Sequence, residues 1–226
     1  MISVIIAAGG KGTRMGHSEN KVFIKLYGKE IIAHTLKAFE NHPEIDEIIV
    51  VCGEGEHQRV AQTAHENNIS KFRIATTGGT TRQESVYAGL AFAQGDYVLI
   101  HDGARALIGN EEITRVIADV KKYGAAALGV VCKDTLKQAD ENGFIKGTLN
   151  RETTYHIQTP QAFKKEEIIK AHNKAISEGF VATDDCMIAE NDNISIKITQ
   201  GSYENIKITT PEDIATAQGI LEKRRK

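Results

Sequence analysis

Glycines and cations crowd the first 21 residues. Gly9, Gly10, Gly12 and Gly16 interleave with Lys11, Arg14 and Lys21, directly after the apolar run Ile2 to Ala8. Glycine lets a backbone curl and come close to a ligand without a Cβ in the way. Exposed N–H groups in such a turn, joined by cations, suit a polyphosphate. Two familiar phosphate loops fail on spacing. Met15 stands where Gly-x-Gly-x-x-Gly needs its third glycine, and Gly12 follows Lys11 where a P-loop needs Ser or Thr. An ordinary strand-to-helix turn with solvated cations stays open beside the phosphate cradle.

Asp102 is the metal candidate, because it follows the buried run Tyr97 to Ile100 directly. A hard cation such as magnesium takes one or two carboxylates and fills its shell with phosphate oxygens and water. An ion pair with neighbouring Arg105 is an equal alternative. His101 reads as a positioning or packing residue. Further polar clusters are Lys133-Asp134-Thr135, Arg151, Gln158-Thr159-Pro160-Gln161, Thr183-Asp184-Asp185 and Glu204-Asn205-Ile206-Lys207. Asp184-Asp185 also suits a helix N-terminus, and Lys207, between Ile206 and Ile208, also suits the solvent face of a strand. No Gly-x-Ser-x-Gly elbow or Cys/His pairing offers a covalent nucleophile. Cations with one or two carboxylates fit transfer between phosphates better than hydrolysis.

Such residues need a scaffold with one ligand-binding edge. Apolar runs at 2–8, 48–52, 72–75, 97–100 and 125–131 read as buried strands. Helical stripes lie between them, at 30–40, 55–69, after Ser85 to about 93, and at 110–122. This alternation predicts an α/β fold, an open, mostly parallel twisted sheet with helices on both faces. Ligands of such sheets bind beyond the carboxyl ends of the strands, where both the glycine-rich stretch and His101-Asp102 fall. Over about 132–160 the pattern changes to two short β-like pieces around Asn142-Gly143, a hairpin signal. We read a β-arm projecting from a single domain of residues 1–226. A helix at 165–178, a strand at 194–198 and a last helix from Pro211 complete the chain.

Composition sets the class. The 226 residues are 41% hydrophobic and 26% charged, with a net charge of -2, so no global basic field awaits nucleic acid. No signal peptide or membrane-length apolar run is visible. Cys52, Cys132 and Cys186 are widely spaced, which fits a reducing cytoplasm better than disulfides or zinc.

Taken together, these stretches resemble the 2-C-methyl-D-erythritol 4-phosphate cytidylyltransferases of non-mevalonate isoprenoid synthesis. The resemblance runs from Ala7-Ala8-Gly9-Gly10-Lys11-Gly12-Thr13-Arg14-Met15-Gly16 and Lys21 through His101-Asp102-Gly103-Ala104-Arg105 and Lys133-Asp134-Thr135. It continues through Arg151, Gln158 to Phe163 and Thr183-Asp184-Asp185, and ends in Glu204 to Asp213. It implies a nucleotidyltransferase, Rossmann-like sheet and a reaction in which CTP and methylerythritol phosphate give the CDP-alcohol and pyrophosphate. By similarity, the backbone of Ala7, Ala8, Gly9, Gly10, Lys11 and Gly12 holds the triphosphate, and Arg14 and Lys21 stabilise the transition state. Gly79, Arg82 and Ser85 fall where the family grips cytosine and ribose. Asp102 would hold Mg2+, and Arg105, Thr135, Arg151, Thr159 and Lys207 the acceptor, with Arg151 and Lys207 on its phosphate. The family is homodimeric, its arm reaching the partner's site.

Four positions depart from the commoner pattern: Asn20 for proline, Val22 for glutamine, Ala106 for proline and Glu204 for aspartate. The first three suggest altered loop stiffness, and Glu204 puts a second metal carboxylate in doubt. Ribitol-5-phosphate cytidylyltransferases of teichoic-acid synthesis have similar loops and are the alternative reading. A non-catalytic nucleotide-binding protein is a third. A glycosyltransferase would need Asp-x-Asp, where Gly103 and Ala104 follow Asp102.

Overall fold

The computed structural model describes residues 1–10 and 20–225. Strand β1 (Ile2–Ala7) leads to a 3-10 turn over Lys21–Phe23, then to the small hairpin β2 (Lys25–Leu26) and β3 (Lys29–Glu30). Helix α1 (Ile31–Glu40), β4 (Glu47–Cys52), α2 (His57–Glu66), β5 (Phe72–Thr77), α3 (Arg82–Leu90) and β6 (Tyr97–Asp102) follow in the expected alternation. After α4 (Asn110–Tyr123) and β7 (Ala125–Val131) comes the hairpin β8 (Lys137–Ala139) and β9 (Ile145–Thr148). The chain ends with β10 (Tyr155–Lys164), α5 (Lys165–Glu178), α6 (Asp185–Asn191), β11 (Lys197–Gln200) and α7 (Pro211–Arg224).

Among the described residues, seven strands form one sheet in the order β11-β7-β10-β6-β1-β4-β5. All neighbours are parallel except β10, which runs antiparallel to both β6 and β7. Alternation along β1 sends Val4 and Ile6 to one face and Ile5 to the other. On the first face α1, α2 and α4 bring Leu36, Phe39, Val60, Val116 and Val120. On the second, α3, α5 and α6 bring Val86, Leu90, Ile168, Ala171 and Ile188. A smaller core joins Leu26, Ile31, Leu107, Ile208 and Ala217, seating α7 against the β2–β3 hairpin.

Two expectations need correction. The segment 155–160, assigned to the arm, belongs to the central sheet, because β10 pairs with β7 from Tyr155 onward. The last strand pairs over Lys197–Gln200 rather than 194–198, with Ile194 and Ile196 packing on the core ahead of it. Register in β10 breaks between Ile157 and Gln161. That irregular stretch, as bulges commonly do, re-aims a side chain, here Thr159.

Candidate active site

The register between β1 and β6 sets Ala7 beside Asp102, so the glycine-rich stretch leaves the sheet next to the acid. Gly103 closes this corner. Its N–H donates to the Ala7 carbonyl at 2.9 Å, and a Cβ there would lie 3.2 Å from that oxygen. Ala8 donates to Val51 on β4 at 2.7 Å. Ala7, Ala8, Gly9 and Gly10 thus start at the carboxyl edge of the sheet, as predicted. Lys11, Gly12 and Arg14 lie outside the described residues.

Asp102 is buried, and three cations from three parts of the chain meet on it. Lys207 Nζ lies 2.9 Å from Oδ2, Arg105 Nε 3.6 Å from the same oxygen, and Arg82 Nε 3.5 Å from Oδ1. Burial pushes the carboxyl up, but Lys207, then Arg82 and Arg105, hold it far below the usual carboxylate range. The acid is ionised throughout the physiological range.

The segment carrying Lys207 is irregular, not an alternating strand, and it is pinned from both sides. Ile208 N–H donates to the Ala104 carbonyl at 2.9 Å, and Arg105 Nη1 donates to the Asn205 carbonyl at 2.7 Å. Fully buried Asn205 donates from Nδ2 to the Thr159 carbonyl at 3.0 Å. The Thr159 hydroxyl accepts from the Asp102 N–H at 3.0 Å and meets His101 Nδ1 at 3.0 Å. Burial drives His101 down to about 4 despite the charge of Asp102, so its ring is neutral at pH 7. Its ring packs edge-on against Phe39.

Arg82 opens α3 behind a capping box in which Thr81 and Glu84 satisfy each other's backbone N–H groups. Ser85 Oγ donates to the Thr81 carbonyl at 2.8 Å. Gly79 is required by packing, since a Cβ would lie 2.2 Å from Glu84 Cβ. Gly79, Arg82 and Ser85 therefore share one rigid turn. Arg82 also turns inward, its Nη2 2.7 Å from Oδ2 of fully buried Asp185. Asp184 caps α6, accepting from Met187 N–H at 2.9 Å, as the helix-start reading expected. Asp185 does something that reading missed. The pair Asp184-Asp185 was visible; which of the two points inward depends on Gln161 of β10, whose Oε1 accepts the Asp185 N–H at 2.9 Å.

Behind Asp185 lies His172, fully buried, with no hydrogen-bond partner for either ring nitrogen among the described residues. It faces Asp185 at 3.9 Å and the Tyr87 ring. Burial, then the Arg82 charge, lowers it to about 4. Its neutral form is the native form, so its contribution is complete above about pH 6.5 and lost as pH falls toward 4. The shift is worth about 3 kcal/mol. Replacing His172 by leucine is expected to flatten the fall in urea-unfolding stability between pH 7 and 4.5; an unchanged slope would contradict this.

Thr135 and Arg151 stand apart. Both lie at the base of the arm, where Arg151 Nη1 donates to the Lys133 carbonyl at 3.4 Å. No hydrogen bond or ion pair among the described residues links them to Asp102, Arg105 or Lys207. Glu204 is drawn away from the site by Arg224 at 3.0 Å and Lys223 at 3.3 Å. Asn20 does more than change loop stiffness: buried, it caps the 3-10 turn and bonds to Ala8.

Among the described residues, Asp102 is the carboxylate at the end of β6 that this edge offers a metal. Among the described residues no three His, Cys, Asp or Glu side chains form a metal cluster. Asp102 Oδ1, 3.5 Å from Arg82 Nε, retains capacity for a hard ion whose other ligands are phosphate oxygens and water.

Residues 2–223 match the family model of 2-C-methyl-D-erythritol 4-phosphate cytidylyltransferase (IspD). The chain is 44% identical over 226 residues to the enzyme of that name from Desulforamulus reducens, covering 99% of this chain and 97% of that one. It is also 44% identical to the Clostridium acetobutylicum enzyme of the same name, with 99% and 98% covered. Among solved structures, 4-diphosphocytidyl-2C-methyl-D-erythritol synthase from Anaerococcus prevotii superposes with a TM-score of 0.87 at 34% identity, covering 98% and 96% of the two chains. The Francisella tularensis 2-C-methyl-D-erythritol 4-phosphate cytidylyltransferase gives 0.82 at 30%, covering 96% and 98%.

Proposed function

The chain belongs to the 2-C-methyl-D-erythritol 4-phosphate cytidylyltransferase family, and from that premise we propose how its residues divide the work. The reaction transfers the cytidylyl group of CTP to 2-C-methyl-D-erythritol 4-phosphate, giving 4-diphosphocytidyl-2-C-methyl-D-erythritol and pyrophosphate. One acceptor phosphate oxygen attacks the α-phosphorus, and the bond to pyrophosphate breaks. No covalent chemistry falls to the protein, so its contribution is positioning and charge stabilisation.

The observation that carries this division is the meeting of Arg82, Arg105 and Lys207 on Asp102, beside the end of β1. Backbone at Ala7 to Gly12 would hold the triphosphate, with Arg14 and Lys21 opposing its growing charge. Gly79, Arg82 and Ser85 form the nucleoside side. Arg105, Thr159 and Lys207 form the acceptor side, Lys207 exchanging its bond to Asp102 for the acceptor phosphate. Asp102 would hold Mg2+, which when bound neutralises part of the triphosphate charge and polarises the α-phosphate.

We read the molecule as a single domain with an arm. A homodimer explains that arm. Phe144 and Ile145 at its tip are 72% and 69% exposed, and Leu149, Tyr155 and Ile157 are exposed as well. Thr135 and Arg151 then serve the partner's acceptor site. Mixing inactive Arg151→Ala and Lys207→Ala homodimers under subunit exchange is expected to restore turnover, since one of the two sites is then intact. No recovery, with exchange shown by sedimentation of tagged subunits, would place both residues in one protomer's site. No described helix is long and apolar enough to cross a membrane, and three buried free cysteines fit a reducing cytoplasm.

The test is pyrophosphate release with CTP, ATP, GTP and UTP, each against methylerythritol phosphate and ribitol phosphate, with and without magnesium. Release with CTP, methylerythritol phosphate and metal is expected. Release with ribitol phosphate alone would move the protein to the alternative acceptor.

A further inference from the structure

The 3-10 turn that begins with Lys21 is held by contacts that none of the assigned roles uses. Val22 and Phe23 are buried in the main core. On the other side, Asn20 is 7% exposed and its amide is fully engaged. Nδ2 donates to the Ala8 carbonyl at 2.6 Å and to Glu56 Oε2 at 3.0 Å, while Oδ1 accepts the Val22 N–H at 3.3 Å. Two acceptors on one side and a donor on the other fix the amide's orientation. Glu56 Oε2 in turn accepts the Gly53 N–H at 2.8 Å. Ala8 and Gly53 directly follow the neighbouring parallel strands β1 and β4. Two side chains therefore tie together two strand exits and the start of the turn.

We infer that Asn20 and Glu56 form a clasp that positions Lys21 and the Ala8 backbone, which lie on either side of the 9–19 stretch of the sequence, for the phosphates of the nucleotide. The residues joined are those flanking that stretch, and Lys21 is the next residue along the chain. Neither Asn20 nor Glu56 touches substrate in this role; both act through Lys21 and the Ala8 backbone. The clasp sits on the nucleotide side, apart from Lys207 and Arg105. It should govern turnover and pyrophosphate affinity without altering acceptor affinity. This inference rests on the CTP-dependent reaction proposed above.

Asn20→Asp keeps the oxygen that accepts from Val22 but turns a second carboxylate oxygen toward Ala8 and Glu56. A buried donor is lost and like charges meet, and kcat is expected to fall about 30-fold. Glu56→Gln alone keeps an oxygen for both donors and should cost about twofold to threefold. Adding Glu56→Gln to Asn20→Asp removes one of the two facing charges, but the atom at the Oε2 place still faces the Gly53 N–H, so only about a twofold recovery is expected. The inhibition constant of pyrophosphate should rise a few-fold, less than the loss of kcat, while the KM for methylerythritol phosphate stays within about twofold. Asn20→Ala, which removes all three bonds without adding charge, carries the same comparison if Asn20→Asp fails to fold.

Thermal unfolding separates positioning from collapse, because the kinetic losses should exceed any change in the folded fraction at the assay temperature. An unchanged kcat in Asn20→Asp and Asn20→Ala would overturn the inference. So would an equal rise in acceptor KM, or a loss accounted for by unfolding. If the wild-type protein itself releases no pyrophosphate from CTP, the proposed reaction fails first, and pyrophosphate binding by calorimetry still decides the clasp. Weaker binding in Asn20→Asp supports it; equal binding overturns it.

Discussion

Replacing Lys21 by alanine is expected to lower kcat about 100- to 1,000-fold while changing CTP affinity only a few-fold. Charge develops on the phosphoryl oxygens as the acceptor attacks, and a cation fixed at that place is worth most at that moment. Lys21 meets the requirement of being fixed, since it opens a turn whose next two residues are core and whose cap is bonded to Ala8. Stopped-flow turnover together with equilibrium CTP binding separates the two effects. Equal losses in both would make Lys21 a nucleotide anchor instead.

Removing the charge at Asp102 is the second large effect. Asp102→Asn leaves Arg82, Arg105 and Lys207 converging on a neutral amide. Breaking one partner out of a fully buried ion pair costs 3–5 kcal/mol as a rule. Lys207 is 40% exposed and Arg82 25%, so solvent relieves part of the repulsion and about 2–3 kcal/mol is expected. Turnover should fall about 100-fold or more, because acceptor and nucleotide sides lose their common reference. The pH dependence follows from the sign of the shift. The native carboxyl is depressed, so its stabilisation is complete above the unfolded value of about 4. It is lost as pH falls below that value. Urea unfolding of Asp102→Asn should therefore show a shallower acid limb below pH 4 than wild type. Parallel limbs would mean the three cations do not hold the acid.

Most of the parallel sheet can be read from the chain because the apolar runs up to β6 are each followed by a helical stripe, and both periodicities are local. The carboxyl-edge rule then put Ala7 and Asp102 on the same side before any register was known. Strand β10 was different. Polar Gln158, Thr159 and Gln161 with Pro160 among them read against a central strand, yet β10 lies between β6 and β7. The sheet tolerates Pro160 where its register is broken, and Thr159 uses that break to reach His101 and Asp102.

The site divided in the same way. Residue types were legible: Asp102, Arg105, Thr159 and Lys207 were each singled out, and the fold brings them together. Partnerships were not, because Lys207 and Asp102 are far apart in sequence and meet only when Ile208 bonds to Ala104. Arg82 was read for the nucleotide alone, and its second partner Asp185 is set by the docking of α6 on β10. Asn20 stood out as a departure from pattern, but its partner Glu56 lies in a polar stretch that carries no signal of its own.

Asp102 is proposed as the point where nucleotide and acceptor meet. A crystal structure with CTP and methylerythritol phosphate bound tests it most directly. The expected result has the triphosphate against the backbone after β1 and Lys21, and Lys207 moved from Asp102 onto the acceptor phosphate. A complex in which Lys207 keeps its 2.9 Å bond to Asp102, with both ligands bound elsewhere, would contradict it.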